Sequence, residues 1–247
     1  MIVIRSISEL ELIRASGEIL RDCFATLEPM LRPGVTTAEL DKAGEAFIRS
    51  RGAAPAFKGY HGYPASICTS VNEEVVHGIP GSRALREGDI IGLDVGVVRS
   101  GYYADAARTY PIGAVSEAAR ALMEVTRESL ELAIDTARPG NHLSDISHVI
   151  QTFAESKGFG VVRDLVGHGI GRQMHEEPQI PNFGPPGKGP MLAPGMVLAI
   201  EPMLNEGTHE VFTLRDNWTF VTADGKLSAH FEDTVAVTDD GPVIMTR

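Results

Sequence analysis

The chain repeats itself. Arg32-Pro33-Gly34 recurs as Arg138-Pro139-Gly140, and Phe47, Ser50 and Gly52 recur as Phe153, Ser156 and Gly158, each 106 positions later. One position further out, Gly88 matches Gly195 and Asp94 matches Glu201. The surrounding stretches LREGDIIGLD and LAPGMVLAIE share a pattern of loop, glycine, apolar strand and acid. Proline and glycine mark helix ends in general, so a single coincidence carries little weight. Agreement in order, spacing and acid position makes duplication the stronger account. The chain is therefore expected to fold as two copies of one helix–helix–sheet unit. No linker or low-complexity segment separates the copies, so the expectation is one domain over residues 1–247 with internal pseudo-twofold symmetry. A site at the junction would draw ligands from both halves.

Apolar spacing sets out the elements of each copy. Ser8 and Glu11 read as a capping box, followed at helical spacing by Leu12, Ser16, Ile19, Leu20, Cys23, Leu27 and Leu31, with a stop near Pro33-Gly34. Thr36 and Glu39 cap a shorter helix lined by Leu40, Ala43, Phe47 and Ile48, ending near Gly52. Residues 53 to 88 read as strand and loop. In the second copy the matching helices run from Ser116 to Ala137 and from about Ser144 to Lys157.

Between the helical pairs lies IIGLDVGVVRSGYYADAARTY, residues 90–110. Two apolar runs flank Arg99-Ser100-Gly101, a tight hairpin turn. Asp94 interrupts the first run and Asp105 the second. Strand alternation puts both carboxylates on one face, opposite or diagonal. Like charges so close destabilise a sheet unless a cation holds them or one stays protonated. A divalent cation is the simplest holder; a surface hairpin with two solvated acids is the alternative from this stretch alone.

The second half supplies further ligand types. His168 stands between glycines in GHGIG, where backbone can approach closely. Glu201 ends the apolar strand VLAIEPM, and Glu232 leads into another in HFEDTVAV. Asp94, Asp105, His168, Glu201 and Glu232 make four carboxylates and one imidazole. That set suits Mn, Fe(II) or Co better than a structural zinc site, and four carboxylates balance two divalent cations. Two metals roughly 3.5–4 Å apart can share a bridging water and make it a hydroxide at neutral pH. His77 in VVHGIPG and His175 in MHEEP are not needed as ligands and are expected to bind a substrate carbonyl and its developing oxyanion. Phe57, Tyr60, Tyr63, Cys68, Met174 and Trp218 could line an uncharged pocket, with ordinary core the better reading of Phe57. His61 receives no role.

Composition excludes several classes. A net charge of −11 without a long basic run argues against nucleic acid and anionic membranes as partners. Two cysteines, Cys23 and Cys68, make no disulfide framework. The amino end MIVIRSISELELI has no basic n-region, and no apolar run approaches a membrane span. The reducing cytoplasm is the expected compartment.

GYHGYPASICTSVNEEVVHGIPG, LDVGVVRSGYYADAARTY, VVRDLVGHGIGRQMHEEPQ and IEPM together resemble the type I methionine aminopeptidases of the pita-bread metallopeptidase family. The resemblance covers nearly the whole chain. It implies an α/β (α+β) pita-bread fold: two pseudo-symmetric halves, with helices covering a curved antiparallel sheet around a dinuclear metal site. It implies Asp94 as chelating ligand, Asp105 and Glu232 as bridging ligands, and His168 and Glu201 as ligands of the other metal. It further implies His77 and His175 as substrate contacts and Glu201 as proton shuttle. Tyr60, Tyr63, Cys68 and Trp218 fall where the family forms its methionine pocket. The implied activity is removal of the initiator methionine from nascent proteins with a small second residue, by attack of a metal-bridging hydroxide on the first peptide bond. The enzyme is expected to be a monomer using two divalent ions (Co, Mn or Fe(II)), with the ribosome as a candidate docking partner. The chain departs from the family pattern at Phe57, at Met174 and at Asp233, where Glu-Asp-Thr replaces Glu-His-Thr. A proline-directed peptidase on the same fold is the rival enzyme, opposed by the loop from Tyr60 to Pro80. A non-catalytic binding protein is the rival from another class, opposed by the presence of all five ligands.

Overall fold

A computed structural model describes all 247 residues. Two helix pairs back two groups of antiparallel strands. In the first half, α1 (Ile7–Leu27) and α2 (Thr37–Ser50) cover the aspartate hairpin, Ile90–Arg99 with Tyr102–Pro111. In the second, α3 (Glu117–Thr136) and α4 (Leu143–Ser156) cover a five-stranded sheet. Its order is Gly241–Ile244, Asp233–Thr238, Val197–Ile200, Val166–Gly169 and Glu176–Pro181. The repeat is visible in the helices: α2 and α4 have 14 residues each and start 106 positions apart. No helix is long and apolar enough to cross a membrane.

The hairpin forms as its sequence demands. Arg99 pairs with Tyr102, leaving Ser100 (φ 51°) and Gly101 (φ 78°) as a two-residue loop with both residues left-handed. That conformation matches the twist of the flanking strands. Alternation then sorts the faces. Ile91, Leu93, Val95, Val97, Ala104 and Ala106 pack with Leu20, Cys23, Leu27, Leu40 and Ile48 of α1 and α2. Asp94 and Asp105 are left on the opposite, concave face. Asp94 pairs with Ala107 and Asp105 with Gly96, so the two acids are diagonal.

A seam joins the halves. Ala107 and Glu232 form an antiparallel bridge, with Glu232 N–H donating to the Ala107 carbonyl at 2.9 Å. On either side of it, Asp105 N–H donates to Thr234 Oγ1 (2.9 Å) and His230 N–H to Thr109 Oγ1 (3.0 Å). The strand carrying Asp105 is thus fastened to the segment carrying His230 and Glu232.

The first helix differs from its expected bounds at both ends. The capping box is Ser6 with Glu9, not Ser8 with Glu11. S-x-x-E occurs in both registers, and tertiary contacts choose: Arg5 N–H donates to the Gly195 carbonyl, and its side chain pairs with Glu176. These anchors end the extended segment at Arg5, so the helix starts just after it. At the other end α1 stops at Leu27, and Glu28–Met30 is a short 3₁₀ turn. Pro29 has no N–H for the helical ladder, so the break comes before Pro33-Gly34.

Candidate metal centre and substrate cavity

The concave faces of both sheets meet at one cluster of buried acids. Asp94 and Asp105 come from the hairpin. His168 comes from the Val166–Gly169 strand, and Glu201 directly follows Val197–Ile200. Register brings the last two together: His168 pairs with Ala199, two residues before Glu201 on the same strand face. Glu232 precedes Asp233, which pairs with Ile200, so Glu232 arrives beside Glu201. Atoms of Asp105, His168 and Glu232 lie within 4.8 Å of one another. His168 Nε2 is 3.7 Å from Glu201 Oε1 and 4.0 Å from Asp105 Oδ2. The structure thus brings all five expected ligands to one place.

The tautomer of His168 follows from its other nitrogen. Nδ1 lies 2.9 Å from the Gly169 carbonyl, which can only accept, so Nδ1 carries the proton and Nε2 offers its lone pair to the acids. The flanking glycines have a different use from the one expected. A Cβ at Gly167 would lie 2.5 Å from the Ala199 carbonyl oxygen, and one at Gly169 would lie 2.2 Å from that of Glu177. The absent side chains make room for neighbouring backbone, not for a ligand.

Electrostatically the cluster is unbalanced. Burial pushes all four carboxyls above their usual range, and the neighbouring acids push Asp105, Glu201 and Glu232 further. Burial holds His168 down at about 3. No lysine or arginine lines the cavity. Asp94 Oδ1, Asp105 Oδ1 and Glu232 Oε1 are buried without any hydrogen-bond partner. Orphaned buried acceptors are costly, about 1–3 kcal/mol each and more when charged. Oxygen-rich donors with an imidazole, unpaired and facing one another, fit divalent cations.

Above the acids opens a cavity of about 430 Å³. Phe57, Tyr60, Tyr63, Cys68, His77, His175 and Trp218 are among its lining residues. Trp218 stands edge-on to Tyr63 (ring centroids 5.1 Å apart) and to His77 (6.5 Å). Cys68 pairs with Asp94 across the sheet, and burial raises its thiol far above the usual range, leaving it a neutral, polarisable wall. His175 stacks on Tyr60, with Nδ1 2.8 Å from the phenol oxygen. His77 has φ 59°, a left-handed conformation that non-glycine residues rarely adopt and that clusters at functional sites. Burial pushes its imidazole down to about 4.

Several expectations change. Met174 does not line the cavity: it is 1% exposed and lies in the apolar cluster that also holds the wall residues Phe57, Tyr63 and Cys68, while the next residue, His175, takes the cavity side. Phe57 is both core and wall. His61, given no role, lines the cavity in a left-handed conformation (φ 48°). Asp233 turns away from the cavity. It accepts from Arg108, from Arg247 Nε (2.9 Å) and from Thr246 Oγ1 (2.7 Å), so the departure from the family pattern places no side chain in the cavity, although the Asp233 charge adds to the upward push on Glu232. His230 is the residue that sequence reasoning missed. It is 3% exposed, lines the cavity and points Nε2 at Glu201 and Glu232. Its place two residues before Glu232 was the available signal, since such residues share a strand face.

Comparison with known proteins agrees with this geometry. Residues 11–239 match the model of metallopeptidase family M24. Methionine aminopeptidase 1 of Bacillus subtilis (strain 168) is 54% identical over 247 residues, covering 100% of both chains. Methionine aminopeptidase of Clostridium acetobutylicum is 55% identical over 247 residues, covering 100% of this chain and 99% of that protein. The crystal structure of methionine aminopeptidase from Thermotoga maritima superposes with a TM-score of 0.99 at 46% identity, covering 100% of both chains. The prolidase from Pyrococcus horikoshii OT3 has a TM-score of 0.82 at 22% identity and is covered to 63% against 99% of this chain, which is a likeness of fold alone. Helix pairs backing antiparallel sheets around buried acids, with these neighbours, define a peptidase of the pita-bread fold. The chain belongs to metallopeptidase family M24.

Proposed function

We propose that this protein, acting as one catalytic domain over its whole length, removes the N-terminal methionine from nascent proteins whose second residue is small. The observation that carries the reading is the group of buried, unpaired carboxylate oxygens in a cavity walled by aromatic side chains and lacking any lysine or arginine. Asp94, Asp105, His168, Glu201 and Glu232 would hold two divalent cations of the Co, Mn or Fe(II) kind, which would supply Lewis-acid polarisation of the first peptide carbonyl and a water of lowered pKa.

The chain's own residues do the rest. The methionine side chain enters between Tyr60, Tyr63, Cys68 and Trp218, where sulfur–aromatic contacts are worth about 0.3–1.5 kcal/mol. A charged side chain would enter that space without an ion partner and lose its hydration. His175 donates to the carbonyl oxygen. Burial keeps the Tyr60 phenol protonated. A phenol that donates to Nδ1 leaves the His175 proton on Nε2, the tautomer a carbonyl oxygen needs. His77, held against Trp218 and Phe220, steadies the substrate backbone as a neutral imidazole. Glu201 takes the proton of the attacking water and passes it to the leaving amine. The enzyme works as a monomer in the reducing cytoplasm, where it meets chains as they leave the ribosome.

A panel of peptides varied at the first two positions tests the reading. Met-Ala, Met-Gly and Met-Ser peptides are expected to be cut efficiently and Met-Lys or Met-Phe peptides poorly. Norleucine should replace methionine with a modest loss. Equal rates on Leu- or Ala-initiated peptides would refute the methionine assignment, and a strict need for proline second would turn it towards a proline-directed peptidase.

A further inference from the structure

We propose that His230 is a sixth protein donor to the metal centre, the counterpart of His168 on the other side of Glu201. This rests on the metal reading given above and extends it to a residue outside the five ligands.

The geometry is nearly symmetric. His168 Nε2 lies 3.7 Å from Glu201 Oε1 and 4.0 Å from Asp105 Oδ2. His230 Nε2 lies 3.9 Å from Glu201 Oε2 and 3.8 Å from Glu232 Oε2. Each imidazole therefore faces one oxygen of Glu201 and one oxygen of a bridging acid. His230 is 97% buried, and its Nε2 has no hydrogen-bond partner. Its backbone is fixed at both polar atoms: N–H donates to Thr109 Oγ1 at 3.0 Å, and the carbonyl accepts from that hydroxyl at 2.8 Å. The ring is held on a rigid seam, aimed at two carboxylates.

The separations say what belongs between them. A direct hydrogen bond would need about 2.7–3.2 Å, so these gaps are too long. A water bonded to both sides at about 2.8 Å and near the tetrahedral angle would hold them roughly 4.6 Å apart, so the gaps are too short for one. Nitrogen and oxygen donors about 2.1 Å from a shared cation lie at most about 4.2 Å apart. Both histidines fall in that last range.

The test uses metal-free wild type and the variants His230→Ala, His230→Gln and Asp105→Ala, each checked for folding by circular dichroism. Co(II) is added while binding heat and the visible d–d absorption are followed. Both His230 variants are expected to bind their weaker Co(II) more than about 100-fold less tightly, beyond the roughly 10- to 100-fold that loss of a mere supporting hydrogen bond costs, and to show an altered spectrum, as loss of a nitrogen donor requires. Wild-type affinity and spectrum in both would overturn the proposal. So would full rescue by Gln alone, which would make His230 a hydrogen-bonding support for the acids. Gln is close to His in size, so it still gives an answer if the Ala variant fails to fold. Asp105→Ala separates the two levels of the argument. If it loses Co(II) while the His230 variants do not, only this inference fails; if it too binds normally, the metal reading of the whole centre fails.

Discussion

Removing the metal should invert the usual response of stability to pH. The four site carboxyls have folded-state pKa values raised by burial, with repulsion from neighbouring acids adding to it at Asp105, Glu201 and Glu232. Such groups contribute stability that is full below their unfolded pKa, near 4, and is lost as pH climbs towards the folded values. His77, His168 and His230 act in the opposite sense, because burial depresses them to about 4, 3 and 3. Their stability is full above the unfolded value near 6.5 and is lost as pH falls below it. Between pH 4 and 6.5 the two sets largely offset. An unfolded histidine is still half protonated at about pH 6.5 and close to neutral only from about pH 7.5, above which the carboxyls are left to act. Each carboxyl that holds its proton there costs metal-free protein about 1.4 kcal/mol per pH unit, a fall in Tm of about 3–5 °C per unit for a chain of this size. With metal bound the ligands are ionised and affinity rises with pH, so the fall should disappear. Melting curves by circular dichroism from pH 7.5 to 8.5 at constant ionic strength, with EDTA-stripped and Co(II)-loaded protein, measure this. A metal-free Tm that is flat or rises across that window would refute the picture of unpaired buried acids.

Three further outcomes are expected. Asp105→Ala should abolish hydrolysis, because both cations and the nucleophile lean on one carboxylate; near-full activity in saturating metal would contradict the dinuclear site. His175→Ala should lower turnover by about 2.7–4 kcal/mol, or roughly 10²–10³-fold, with metal content retained; metal lost in proportion to activity would reassign it as a ligand. Leu93→Ala, which hollows the fully buried layer between α1, α2 and the hairpin, should cost about 2–5 kcal/mol in denaturant unfolding; a cost under 1 kcal/mol would mean that the layer does not support the aspartates.

Much of this was legible because short-range rules settle it. A two-residue turn and strand alternation together fix which face Asp94 and Asp105 share, and the internal repeat puts Glu201 where Asp94 has its counterpart. Where long-range contacts decide, the chain was ambiguous. Ser6–Glu9 and Ser8–Glu11 are equally good capping boxes by local chemistry, and only the anchoring of Arg5 to Gly195 and Glu176 chooses between them. Met174 and His175 are neighbours whose inward and cavity-facing sides depend on the packed cluster around Ile13 and Ile170. Pro29 and His230 carry local signals: the first lacks the N–H a helix needs, and the second shares a strand face with Glu232. The glycines around His168 show a right residue type with the wrong reason attached, since the close approach is by the carbonyls of Ala199 and Glu177.

The central claim is that the buried acids exist to hold catalytic metal for methionine removal. Its most direct test is release of free methionine from Met-Ala-Ser by EDTA-stripped protein as Co(II), Mn(II) or Fe(II) is added anaerobically. The account predicts no release without metal, recovery as metal fills the site, and none from the same peptide with an acetylated amine. Undiminished release in EDTA, or no release at any metal concentration with the ions demonstrably bound, would contradict it.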